Sequence, residues 1–217
     1  MKLDKLHVVI LIFLIIGGCN QNQINNIRTA HSILEHSTKK ENELKKLQSE
    51  LNVLIKQENK NYIEILDKGK NDLSNINIEL DKVINTNNSM LQKLDSMIKI
   101  MNSSKTEWVK LNSLVEKSEN KQERRLLLNI ISVLEERERI FFAIVNEQEL
   151  IIRSNIKLYN TLKEPKVNVN DLEREINTIN KKMDVSNTLN NSYTKSTKDL
   201  NNLKQIVYEI ILLNKKK

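Results

Sequence analysis

Apolar residues recur along this chain at alternating three- and four-residue steps, the period of helices packed along a narrow seam. The clearest run is Leu66, Leu73, Leu80, Asn87, Leu94, Met101, Trp108 and Val115, each seven residues after the last. A companion series, Tyr62, Gly69, Ile76, Val83, Met90, Met97, Ser104 and Leu111, interleaves with it. Together they predict one long helix over residues 60–118, roughly 85 Å if unbroken at about 1.5 Å per residue. Asn87 stands where the seam wants an apolar residue. A buried Asn costs stability and fixes register, so Asn87 is a candidate register-setting residue. Gly69 is either a point of close packing or a weak spot.

Leu44, Leu47, Leu51 and Leu54 predict an earlier helix over residues 28–58. A third, over residues 121–163, has Leu127, Ile130, Leu134, Phe141, Ile144, Ile151, Leu158 and Leu162 on its seam, with Arg137, Gln148 and Asn155 in the same register. Those three polar positions predict a partly wet core. Residues 116–125 hold no apolar side chain and mark either a hairpin corner or, since they contain no helix breaker, a solvated stretch of continuous helix. Pro165 ends the third helix. Asn170, with Glu173 three residues on, reads as a capping box opening a last helix over residues 170–213. Its seam reads Leu172, Ile176, Ile179, Met183, Tyr193 and Leu200, then shifts to Leu203, Val207 and Ile210. The apolar-poor stretch from Ser186 to Ser196 is expected to be more mobile. The seams are satisfied either by an antiparallel bundle within one chain or by pairing between two chains.

Composition narrows the fold to all-α, an elongated helical bundle or antiparallel coiled coil. Gly69 and Pro165 are the only glycine and proline after residue 18, and sheets need such residues at their turns. Aromatics are 4% and charged residues 29%. A wide core needs more large apolar groups; a heptad seam does not.

Met1 to Lys5 is basic, Leu6 to Ile16 is apolar except for His7, and Gly17-Gly18-Cys19 follows. This is the layout of a signal peptide, too short in its apolar run to span a bilayer. Ile16-Gly17-Gly18-Cys19 resembles a bacterial lipobox. It predicts cleavage between Gly18 and Cys19 and a diacylglycerol on Cys19, the only cysteine of the chain. Residues 1–18 are then the signal peptide, 19–27 a lipidated N-terminus and polar tether, and 28–217 a helical extracytoplasmic domain. The expected location is the outer face of the cell membrane.

Net charge is +7. The charges alternate in sign along the helices, and export argues against a nucleic-acid partner. Lipid headgroups and anionic wall polymers are the expected neighbours, attracted weakly and in a salt-dependent way. Catalysis needs converging groups, and none is legible. His31 and His36 lie on different helix faces, no thiol remains after lipidation, and phosphate-loop and nucleophile-elbow motifs are absent. No enzyme, cofactor or metal is expected. Trp108, Phe141, Phe142, Tyr159, Tyr193 and Tyr208 would suit a glycan-stacking surface, but Trp108, Phe141 and Tyr193 fall on seams and read as core. Phe142 and Tyr159 lie beside seams, open to a partner.

Order and texture carry a resemblance. After the lipobox comes a Leu/Glu/Lys helix, then Ile84 to Val109 with Ser103-Ser104-Lys105-Thr106-Glu107-Trp108, then an apolar helix around Glu136 to Tyr159. Leu158-Tyr159-Asn160-Thr161-Leu162-Lys163, a break, and Asp171-Leu172-Glu173-Arg174-Glu175-Ile176-Asn177-Thr178-Ile179-Asn180 follow. Across residues 28–210 the chain resembles the cell-wall-binding lipoproteins of Firmicutes (YkyA-like). It has more Asn and Ile and fewer Glu than that family. The resemblance implies a membrane-anchored, all-helical, extracytoplasmic protein associated with peptidoglycan or an anionic wall polymer, and it carries over no catalytic residue. Two rival readings stay open. One is a host-interacting surface lipoprotein of spirochaetal type, and the other a structural coiled-coil component of an envelope complex.

Overall fold

A computed structural model describes residues 21–69, 76–164, 166 and 168–215. The helices are α1 (Gln21–Gly69), α2 (Asn77–Trp108), α3 (Leu111–Lys117), α4 (Lys121–Thr161) and α5 (Val169–Lys215), and no strand occurs among the described residues. The fold is a helical bundle.

The chain divides into two compact units. One comprises residues up to Glu41, Met101–Arg139 and Ser192–Lys217; the other comprises Asn42–Ile100 and Ile140–Asn191. Each of the four long helices lends a segment to each. In the first unit α1 and α2 meet at one level, through Ser37 and Ser104 and through Lys40 and Glu107. There α4 and α5 run antiparallel, since Val133 meets Ser196 and Arg137 meets Tyr193. In the second unit Lys93 meets Glu50 and Lys68 meets Glu79, while Gln148 meets Ser186 and Lys157 meets Glu175, so α1–α2 and α4–α5 are both antiparallel pairs there. α2 and α4, the helices the hairpin reading pairs, also meet, through Lys105 and Glu138 in the first unit and, just past the end of α4, through Asp81 and Lys163 in the second.

The 60–118 helix is not continuous. α1 runs through the expected break near residue 59 and ends at Gly69; α2 starts at Asn77. Gly69, a weak helix former, closes α1; residues 70–75, with Leu73 of the expected seam, lie outside the described residues. On α1 the core positions are Ala30, Ser37, Leu44, Leu51, Glu58 and Ile65, seven apart and all buried. Tyr62 and Leu66, expected on the seam, are instead exposed. From Ile76 onward the predicted heptad holds without exception: Ile76, Leu80, Val83, Asn87 and each seam position up to Val115 are buried.

A second interruption falls at Val109–Lys110. Lys110, Asn112 and Ser113 donate to carbonyls only three residues back, at 3.1–3.3 Å, a local tightening of the helix. The Asn112 and Ser113 side chains bond the same Val109 and Lys110 carbonyls, competing with the ladder. The predicted corner narrows to Ser118–Asn120. Asn120 Oδ1 accepts the Gln122 and Glu123 amides at 2.8 and 3.1 Å, capping α4.

α5 opens one turn position earlier than expected. Its cap is Asn168, whose Oδ1 accepts the Asn170 amide at 3.0 Å, so Asn170 lies inside the helix. The predicted shift of seam along α5 does not occur. Leu172, Ile179, Ser186, Tyr193, Leu200 and Val207 are seven apart and covered, and Glu175, Lys182, Leu189, Ser196, Leu203 and Ile210 form the companion series. Ile176 and Met183 are exposed. The stretch from Ser186 to Ser196 stays helical, with both serines buried. Gln21 to Ile27, expected as part of a tether, belong to α1, and Ile27 packs into the core of the first unit with Ala30 and Leu34.

Candidate functional site

Polar residues on the seams meet one another rather than solvent. In the first unit Arg137 Nη1 pairs with Glu41 Oε2 at 2.8 Å, and both side chains are largely buried. Its Nε donates to Thr197 Oγ1 at 3.0 Å and its Nη2 to Tyr193 Oη at 2.7 Å, with the guanidinium 4.8 Å from the Tyr193 ring centroid. Ser104 Oγ donates to the other Glu41 oxygen at 2.9 Å and touches Ser37 Oγ at 2.7 Å. Four helices thus converge on one buried ion pair. Burial pushes the Tyr193 phenol up to about 12, against the pull of Arg137. Nearby, Glu107 is gripped by Lys110 at 2.5 Å and Lys40 at 3.0 Å, which hold its carboxyl down at about 2.

The second unit has a counterpart at Glu58. Its Oε1 accepts from Asn87 Nδ2 at 3.2 Å, Asn155 Nδ2 at 3.0 Å and Tyr159 Oη at 3.1 Å. Asn87 Nδ2 also reaches the Val83 carbonyl at 2.9 Å. Tyr159, expected to be open to a partner, is buried in the cluster with Ile65, Leu80 and Val83. Burial, with Glu58 beside it, drives its phenol far above the ordinary range. Phe142 is half-buried and edge-on to Phe141 at 5.6 Å. Trp108 and Phe141 are core, as their seam positions predict.

Glu123 is a buried polar group that the sequence reading missed, although the Asn120-Lys121-Gln122-Glu123 cap signature was present. It is 2% exposed, and neither carboxylate oxygen is in hydrogen-bond geometry. Burial pushes its carboxyl up, partly offset by the neighbouring Asn26 and Ser118 side chains.

Among the described residues each unit has a surface cleft. A cleft of about 400 Å³ in the first unit is lined by His31, Leu34 and Glu35 of α1 and by Asn201, Lys204, Gln205 and Tyr208 of α5. The His31 and Tyr208 rings lie 6.0 Å apart at 32°. A cleft of about 300 Å³ in the second unit lies between the end of α4 and the start of α5; four of its charges form the pairs Lys157–Glu175 and Arg174–Asp171, and Glu164 also lines it. Among the described residues no three His, Cys, Asp or Glu side chains gather as a metal would need, and no helix is long and apolar enough to cross a membrane. Gly18 and Cys19, with the whole signal peptide, lie outside the described residues.

Seams filled by alternating apolar and bonded polar layers, with two shallow clefts between helices, define an all-α helical-bundle protein. The family described as "putative cell-wall binding lipoprotein" (YkyA) matches residues 25–210. The chain belongs to that family. Among solved structures, a conserved protein of unknown function from Staphylococcus aureus is similar, with a TM-score of 0.65 at 13% identity over 87% of this chain and 89% of that one. At that identity the likeness speaks to the fold alone. No curated protein matches the sequence.

Proposed function

We propose that this protein is a lipid-anchored component of the bacterial envelope that binds cell-wall polymer through its helical surface and catalyses no reaction. The observation that carries the reading is the family match over residues 25–210 together with Ile16-Gly17-Gly18-Cys19 just before it. Acyl chains on Cys19 hold the protein at the outer face of the cell membrane, and one lipid-modified residue substitutes for a spanning helix. The non-catalytic part follows the family's description as a binding lipoprotein. The polymer is peptidoglycan or an attached anionic chain, toward which the net charge of +6 left once residues 1–18 (Lys2, Asp4 and Lys5, net +1) are removed from the chain of +7 is favourable. Asn87 sets the alignment of α1 and α2 in the second unit, because its amide reaches Glu58 in one register only.

Fatty-acid labelling in the native host tests the anchor. Wild-type protein incorporates labelled palmitate and sediments with membranes, whereas Cys19→Ala takes up no label and is released. Unlabelled wild-type protein, or a labelled Cys19→Ala, would sink the lipoprotein assignment.

A further inference from the structure

The cleft between α1 and α5 combines an open aromatic pair with two exposed amide side chains, Asn201 and Gln205. Tyr208 is 45% exposed although it neighbours the buried Val207 and Ile210. His31 stands against it at 6.0 Å, the two rings splayed by 32°. Asn201, Lys204, Gln205 and Tyr208 follow one another at three- and four-residue spacing and so share one face of α5. The floor is Leu34, 2% exposed.

Charge in the cleft is internally cancelled. Lys204 Nζ lies 3.4 Å from Glu35 Oε1 and donates to Thr38 Oγ1 at 2.7 Å. A lysine held this way is not offered to a phosphate. The Gln205 amide nitrogen donates to Glu209 Oε1 at 2.9 Å, and its carbonyl oxygen can still accept. Asn201 is exposed and can both donate and accept. An apolar aromatic face flanked by amides and a neutralised ion pair matches a ligand with an apolar ring face and a rim of hydroxyl and acetamido groups. The volume, about 400 Å³, falls within the roughly 300–1,000 Å³ usual for small-ligand sites.

We infer that the α1–α5 cleft is a subsite for a neutral, N-acetylated amino-sugar glycan, with Tyr208 as the stacking platform and Asn201 and Gln205 as hydrogen-bonding partners. This rests on the wall-binding reading and deepens it by naming the sugar backbone, rather than the anionic polymer, as the recognised part.

The test is calorimetric titration of the full-length protein in detergent micelles with the β-1,4-linked tetramer of N-acetylglucosamine. Wild-type protein binds saturably, with little change between low and high salt. Tyr208→Ala weakens binding about tenfold, the loss of one stacking contact, while Tyr208→Phe stays within about twofold. Asn201→Phe fills the cleft from an exposed position and abolishes binding, so the inference stays testable if Tyr208→Ala lowers helicity. No binding by wild type, or binding unchanged in both Tyr208→Ala and Asn201→Phe, overturns the subsite. Retention on intact sacculi separates the two levels. Wild type and Tyr208→Ala retained equally would sink the subsite and leave wall binding standing. Tetramer binding without sacculus retention supports the subsite and sinks the wall reading.

Discussion

Replacing Arg137 by Leu probes the buried ion pair that joins the first unit. The Arg137 and Glu41 side chains are 9% and 14% exposed and meet at 2.8 Å. Removing one partner of such a pair costs about 3–5 kcal/mol, mostly because the other charge is left buried and uncompensated. Two features set the expected value near the lower end. Glu41 keeps the Ser104 hydroxyl at 2.9 Å, and Leu retains part of the arginine's packing. Against that, Tyr193 and Thr197 each lose a donor, at about 1 kcal/mol apiece. The expected loss is about 3–4 kcal/mol. Urea unfolding of the full-length protein, followed by Trp108 fluorescence, measures it. Trp108 is the only tryptophan and lies in the first unit's core, so the signal reports that unit. The double variant Glu41→Leu/Arg137→Leu should recover much of the loss, since no orphan charge remains. A cost below about 1 kcal/mol for Arg137→Leu would place the pair with ordinary surface ion pairs and refute the reasoning.

Three further outcomes follow from the same structure. Glu123 has a raised folded-state pKa, so its stabilising contribution is complete below 4.5 and is lost as pH climbs through the raised value. Glu123→Gln should therefore raise stability by about 1 kcal/mol at neutral pH and gain nothing at low pH, read as the difference in thermal midpoint between the two conditions. Glu107 has the opposite sign. Held to about 2 by Lys110 and Lys40, it stabilises above 4.5 and loses that contribution as pH falls toward 2. Carboxyl NMR should show its midpoint near 2 and an upward move in Lys40→Ala; an unshifted midpoint would contradict the pairing. On α5, Met183→Lys should change stability by less than about 0.5 kcal/mol, whereas Ile179→Lys, at a 9% exposed position, should cost more than about 2 kcal/mol. Similar costs at both positions would restore the seam expected from apolar spacing alone, which held Ile179 and Met183 alike.

That last pair shows where sequence reading stopped. Between Ile76 and Val115 the seam residues are almost all large and apolar, and the heptad was legible position by position, Asn87 included. On α5 the true seam passes through Glu175, Lys182, Ser186 and Ser196, while Ile176 and Met183 sit outside it. Apolar residues announce a seam; polar ones join it only when a facing helix supplies a partner, as Gln148 does for Ser186 and Lys157 for Glu175. The same blindness hid Glu58 and Glu123, whose burial depends on neighbours far away in the chain. The helix end before α4 was legible from its polar corner, whereas the end at Gly69 was misread, because the heptad spacing carries on through it and one helix over 60–118 was expected. Helix ends were also misread where several Asn residues competed to cap, as at Asn168 and Asn170. The α1–α5 cleft was invisible for a further reason. Tyr208 was one of six aromatics that would suit a stacking surface, and only the approach of α1 gives it His31, Glu35 and Leu34 as companions.

Wall binding is the centre of the account. It is measured most directly by sedimenting the full-length protein in detergent with purified sacculi, with and without their anionic polymers, across a salt series. The account predicts saturable retention on both preparations that persists at high salt, where simple charge attraction is screened. Absence of retention, or retention on polymer-bearing sacculi alone that vanishes with moderate salt, would contradict it.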